Sequence, residues 1–105
     1  MRGGKPLRSQ QPNVRTVKFL ERLRLLPKEI QEAAQEAYRT FLNNPDDPVL
    51  KNHVLKDTRR SRQRKGSHAV SVTRRYRALY IEDGQTNVWY WIGSHEDYNG
   101  LVGKR

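Results

Sequence analysis

The sequence predicts an α+β domain in which two helices are followed by a small antiparallel sheet and a short last helix. Apolar residues recur at helical spacing from Val17 to Phe41, and the period drops to two after Gly66. A length of 105 residues leaves room for one domain. Residues 1–13 carry Gly3, Gly4, Pro6 and Pro12 among Ser and Gln. They bury no apolar surface and read as a flexible basic arm, so the domain is taken as 14–105.

Thr16 is placed to cap the first helix, whose stripe runs through Val17, Phe19, Leu20, Leu23 and Leu26 and stops at Pro27. Proline suits the first turn of the second helix, and Glu29 and Glu32 favour its positive end. Ile30, Ala33, Ala34, Ala37 and Phe41 keep the spacing until Asn43, Asn44 and Pro45 end it. The pair reads as a helical hairpin whose small alanines allow close approach. Val49 to Lys65 has no strong period and serves to carry side chains. Val70 to Thr73, Tyr76 to Glu82 and Val88 to Gly93 are rich in β-branched and aromatic residues and form three antiparallel strands. Asp83-Gly84 supplies the positive φ of the second hairpin, whereas Arg74-Arg75 lacks glycine and predicts a bulge or an unusual turn. Alternation puts Trp89 and Trp91 on one strand face, as core or as partner-binding surface. Ser94 caps the last helix, with Asp97 at its third position.

The chain has 21 Lys and Arg against 11 Asp and Glu, a net charge of +10. Between Lys56 and Arg77 nine basic residues stand against Asp57 alone, so eight of the ten net charges fall in that short span. So focused a field is the footprint of a polyanion site, and arginine grips phosphate oxygens at two points. Taken alone, Arg59 to Lys65 is equally well a solvated loop. The absence of cysteine excludes a disulfide framework, a thiolate metal site and a cysteine nucleophile, and fits a reducing compartment. The longest apolar run, Val88 to Ile92, is far short of the roughly 20 residues that cross a bilayer, and no apolar core follows the basic N-terminus as a signal peptide requires. The cytoplasm is the expected address.

Among residues that could carry chemistry, alternation puts Arg77, Leu79 and Ile81 on one face of their strand and Tyr76, Ala78 and Tyr80 on the other. Arg77 could then clamp a phosphate and stabilise charge developing on it, or be a strand-end arginine with its head in solvent. His95 opens the last helix directly after a strand and is a candidate acid or base, or a plain first-turn residue. Tyr98, one turn on, could orient a nucleotide or pack over the sheet edge. His53 is a candidate second proton carrier or an ordinary loop histidine. Neither it nor His68 has metal-ligand spacing with another His or carboxylate, so no metal site and no cofactor are expected. No phosphate-cradling glycine loop, serine elbow or catalytic carboxylate pair is present.

The ordered set Phe19, Leu23, Leu26-Pro27, Ile30-Gln31, Phe41 to Asn44-Pro45, Leu55, Val70-Ser71-Val72, Tyr76-Arg77-Ala78-Leu79-Tyr80, Ile92-Gly93-Ser94-His95 and Tyr98 resembles the RelE/ParE superfamily of bacterial toxin components, over roughly residues 15 to 102. The resemblance implies two helices packed on an antiparallel sheet and, for the ribonuclease branch, cleavage of messenger RNA in the ribosomal decoding site. It carries the family's strand arginine onto Arg77, the residue after its last strand onto His95, and a histidine of one branch onto His53. RNA- and ribosome-holding bases would fall on Lys51, Lys56, Arg59, Arg60, Arg62, Arg64 and Lys65, to which Arg74 and Arg75 are added from the basic span. Where the histidine-rich branch has a further histidine and an acid, this chain has Ser71 and Arg75. The family's first strand finds only Asn13 to Arg15 ahead of Thr16, unless the arm contributes it.

Three functions follow from this reading. The leading one is the toxin of a type II toxin–antitoxin module, a metal-independent endoribonuclease that cuts messenger RNA at the ribosome, with a cognate acidic, helical antitoxin as partner. The second is a non-enzymatic inhibitor of DNA gyrase on the same fold, against which His95 argues. The third is a non-toxic basic RNA- or DNA-binding module. No membrane partner is expected.

Overall fold

The computed structural model describes residues 11–103, so residues 1–10 of the expected arm lie outside the described residues. The element order is β1 (Asn13–Arg15), α1 (Val17–Arg24), α2 (Lys28–Asn43), a 3-10 turn (Pro48–Leu50), β2 (His53–Val54), β3 (His68–Thr73), β4 (Tyr76–Asp83), β5 (Thr86–Ser94) and α3 (His95–Val102). The strands make one mixed sheet in the order β1-β5-β4-β3-β2. This is the α+β architecture expected, with two short strands added at the edges.

Both helix starts lie where the sequence puts them. Thr16 Oγ1 accepts the Phe19 N–H at 3.1 Å, and Ser94 Oγ accepts that of Asp97 at 3.1 Å. Pro27 stands just outside α2 as its N-cap, and Gln31 Nε2 donates to the Arg24 and Leu26 carbonyls, tying the end of α1 to the start of α2. The expected close helix pair is not formed: α1 lies along β5 and α2 along β3, each packing on the sheet more than on the other. Ala34 and Ala37 instead line a 520 Å³ cleft between the helices and the sheet. Small residues there leave space under the helices rather than drawing them together.

The sheet has an apolar cluster on each face. On the helix side Phe19, Phe41, Val70, Ala78, Tyr80, Trp89 and Ile92 pack together, with Phe41 edge-on to both Tyr80 and Trp89 at centroid distances of 5.3 and 4.9 Å. On the other side Leu55, Ala69 and Leu79 are covered by Tyr98 and Val102 of α3. His68 stacks on Tyr80 at 4.6 Å, with Nε2 3.2 Å from Glu82.

Two register shifts set which side chains face which way. Ser71 pairs with Arg77 and Thr73 with Tyr76, which makes Val72 the extra residue and supplies the bulge expected before Arg74-Arg75. Leu79 pairs with Trp91 while Tyr80 pairs with Trp89, leaving Tyr90 as a second extra residue. This overturns the expectation that the two tryptophans share a face. Trp89 joins the helix-side cluster, and Trp91, with Tyr90, packs on the opposite one.

The strand missing ahead of Thr16 is β1, parallel to β5 with Val14 opposite Val88, and it begins at Asn13, one residue inside the span read as arm. Asn13 Oδ1 accepts from Trp89 Nε1 at 2.9 Å and from Asn87 Nδ2 at 3.2 Å. Trp89 and Asn87 are both buried, so the carbonyl oxygen answers two donors withdrawn from the surface. Asn13→Ala strands both and is expected to lower stability by about 1–3 kcal/mol, read as a fall in the urea midpoint; an unchanged midpoint would show the pairing to be energetically idle.

Candidate functional site

Arg77 comes from the middle sheet strand and stands opposite Gly93, on the face that carries Leu79 and Trp91. Its Nη1 donates to the carbonyls of Thr73 at 2.7 Å, Tyr76 at 3.0 Å and Arg74 at 3.2 Å, so the side chain is fixed by the β3–β4 turn. Nε and Nη2 make no hydrogen bond among the described residues. One edge of the guanidinium is spent on geometry, and the other is open for an anion.

The end of β5 delivers the next group. The Gly93-Ser94 step ends the strand, Ser94 caps α3, and His95 is exposed in its first turn with its backbone N–H on the Arg75 carbonyl at 2.6 Å. The His95 ring stacks on Tyr98 at 5.8 Å with 22° between planes. Tyr98 is 3% exposed and packs with Leu79 and Val102. Burial holds its phenol above the ordinary value, with the nearby Arg77 charge opposing, so at neutral pH the hydroxyl is a neutral donor rather than a base. It makes no hydrogen bond among the described residues. Arg77, Tyr98 and His95 therefore form one group, and Arg74 and Arg75 stand exposed on the turn beside it.

His53 lies in edge strand β2, opposite Ala69, which pairs in turn with Leu79, so it shares the face of Arg77. It touches none of the other three. Two strand spacings separate its backbone from β4, roughly 10 Å. Its Nδ1 stands 2.8 Å from the Lys51 carbonyl, which can only accept; in the neutral ring Nδ1 carries the proton and Nε2 keeps a lone pair. Lys51 itself adopts φ 50°, the left-handed region, as the chain leaves the 3-10 turn.

The basic loop is held against this same face. Tyr90, freed from the ladder by the bulge, has its hydroxyl accepting the Arg64 N–H at 3.0 Å and exchanging a 2.5 Å hydrogen bond with Ser67 Oγ. The Arg64 guanidinium lies over the same ring at 5.5 Å. Arg62 N–H donates to the Leu101 carbonyl of α3 at 2.7 Å, and buried Gln63 donates to the Lys56 carbonyl at 3.1 Å. The loop is thus pinned by its backbone, while Lys56, Arg59, Arg60, Arg62, Arg64 and Lys65 keep exposed side chains. Sequence reading missed the anchors Gln63, Ser67 and Tyr90, none of which stands in a pattern. It also missed Gly93, although a glycine inside an otherwise apolar strand signals close approach of another group. Among the described residues no three His, Asp or Glu side chains gather as metal ligands, and no helix is long and apolar enough to cross a membrane.

No curated protein sequence matches this chain. Among solved structures it is similar to YafQ from Escherichia coli strain BL21(DE3), with a TM-score of 0.65 and 17% identity over 85% of this chain and 98% of that one. It is also similar to the toxin–antitoxin complex RelBE2 from Mycobacterium tuberculosis, at TM-score 0.60 and 23% identity over 81% and 98% of the two chains. The YoeB/ParE toxin from Agrobacterium tumefaciens aligns at TM-score 0.61 and 16% identity over 80% and 98%. The family model of the ParE-like toxin domain matches residues 28–100, from the first turn of α2 into α3. The chain therefore belongs to the ParE-like toxin family, in the RelE/ParE superfamily of toxins.

Proposed function

We propose that this toxin is the active component of a type II toxin–antitoxin module and an endoribonuclease that cuts messenger RNA at the ribosome, needing no metal or other cofactor. The observation that supports the reading is the grouping of Arg77, Tyr98 and His95 on a sheet face bordered by a pinned basic loop. In the reaction the substrate's own 2′-hydroxyl attacks the adjacent phosphorus and the 5′-oxygen leaves, giving a cyclic phosphate and a 5′-hydroxyl. One proton must leave the 2′-oxygen and one must reach the 5′-oxygen, so two carriers are wanted and no protein nucleophile is consumed.

His95 supplies the proton to the leaving oxygen. His53, across the same face with its Nδ1 on the Lys51 carbonyl, accepts the one from the 2′-hydroxyl at Nε2. The free edge of Arg77 meets the charge that builds on the phosphorane, and the Tyr98 hydroxyl orients the nucleotide. Lys51, Lys56, Arg59, Arg60, Arg62, Arg64, Lys65, Arg74 and Arg75 hold the RNA backbone. An acidic, helical antitoxin is the protein partner that complements so basic a surface, and the cytoplasm is where such a substrate is met.

Induced expression in bacteria with mapping of messenger RNA 5′-ends tests the reading. New ends in phase with codons are the expected result. Growth arrest without new ends would replace it with inhibition of DNA gyrase, and neither arrest nor ends would leave a non-toxic nucleic-acid-binding module.

A further inference from the structure

Arg22 leaves α1 on the helix side of the sheet, yet its guanidinium ends on the other side. The side chain passes the edge of β5 beyond the point where β1 stops, and its Nε donates to the Ile92 carbonyl at 2.7 Å. The guanidinium then lies over Trp91 at 4.7 Å, and Trp91 packs with the cluster on the face of Arg77. Gly93 makes the passage possible: a Cβ there would stand 2.8 Å from both Arg22 Nη2 and the Trp91 ring.

Gly93 is also the residue opposite Arg77. Gly93 therefore has the Arg22 guanidinium beside it and Arg77 as its partner on the next strand, so both side chains serve one face at the strand end that leads into His95. Among the described residues neither is paired with a carboxylate; the ion pairs found there are Arg39–Glu36 and His68–Glu82. Both are held in place by carbonyls, through Nε of Arg22 and Nη1 of Arg77, and each keeps open N–H groups. An anion bound on this face meets two cations that no carboxylate among the described residues offsets. The stacked, tethered side chain of Arg22 also loses little entropy on binding.

We propose that Arg22 is a phosphate-binding residue, holding the RNA backbone phosphate next to the one that Arg77 meets, with Trp91 as the platform that orients it. This rests on the ribonuclease reading above and names a subsite of it. Arg22 does not touch the reacting phosphate, so its role is binding rather than transfer.

Two substitutions separate binding from scaffolding. In Arg22→Gln the amide nitrogen falls where Nε was, so the Ile92 tether persists and the charge is lost. In Arg22→Lys the charge persists and the tether is lost. The probe is a fluorescein-labelled single-stranded RNA with 2′-O-methyl groups, which cannot attack its own phosphate, followed by anisotropy over a series of KCl concentrations. Arg22→Gln is expected to bind about ten-fold more weakly and to lower the slope of log Kd against log salt by about 0.7, the share of one phosphate on a single strand. Arg22→Lys should keep the parental slope, and its melting temperature should fall further than that of Arg22→Gln. A parental slope in Arg22→Gln, with the unsubstituted protein binding RNA in a salt-dependent way, overturns the subsite and leaves the ribonuclease reading intact. An unsubstituted protein that shows no salt-dependent RNA binding overturns both.

Discussion

Arg77→Ala and His95→Gln are each expected to lower RNA cleavage by a factor on the order of 10² to 10⁴, the range for losing a charge-stabilising group or a general acid. The two act on one transition state from neighbouring positions, because Arg77 pairs with Gly93 and His95 follows two residues later. The double variant should therefore lose much less than the product of the single losses. His95→Gln keeps the Ser94 cap and the backbone bond to the Arg75 carbonyl, so it should fold as the parent does. Arg77→Ala frees three turn carbonyls, of Thr73, Arg74 and Tyr76, at a cost of about 1 kcal/mol where water can replace the guanidinium. Single-turnover cleavage with protein in excess reads the chemical step apart from product release. A folded His95→Gln variant that cuts at the parental rate would remove the site assignment without touching the fold.

Replacing Arg59, Arg60, Arg62 and Arg64 together by glutamate is expected to abolish RNA binding while moving the melting temperature little. Four lost phosphate contacts would flatten the salt slope by about 3, and the reversed charges would add repulsion to that loss. The fold should tolerate the change because the loop is held by groups that survive it. The bonds from the Arg62 and Arg64 N–H groups and from Gln63 are to backbone, to Asp57 or to Tyr90, none of them substituted, and exposed charges contribute little to stability. Among the described residues the contact of Arg64 with the Tyr90 ring is what is given up. Filter binding beside a thermal melt checks both halves, and RNA affinity that persists would leave the basic loop without a role in recognition.

The parts of the fold written in local pattern were readable from the sequence. Thr16 and Ser94 announce their helices by chemistry that acts within three residues, and β4 and β5 announce themselves by composition. What escaped depends on groups far apart in the chain. Nothing in Asn13-Val14-Arg15 alternates; the strand exists because the Asn13 amide meets Asn87 and Trp89, more than 70 residues on. The period-two rule carried Trp91 to the wrong face because Tyr90 adds a residue to β5, and the bulge is sustained by a hydroxyl that reaches Ser67 and Arg64. Ala34 and Ala37 could signal either a tight helix pair or a cleft, and only the placement of the helices on the sheet decides. That Arg77 and His95 stand at one strand end was legible from strand pairing, whereas the path of Arg22 was not, because its side chain crosses an edge that exists only once the sheet has formed.

The parallel pairing of β1 with β5 also has a consequence for the order of folding. β3, β4 and β5 are joined by two tight turns and can zip with little loop to close, but β1 must find β5 across almost the whole chain. Loop closure of that length costs entropy before any contact repays it, so the meander belongs in the transition state and β1 docks after the barrier. Loss of the Asn13 contacts should accordingly appear in the unfolding rate and leave the refolding rate nearly unchanged. The parallel edge of the sheet is thus among the last parts of the fold to be completed, after the antiparallel strands it rests on.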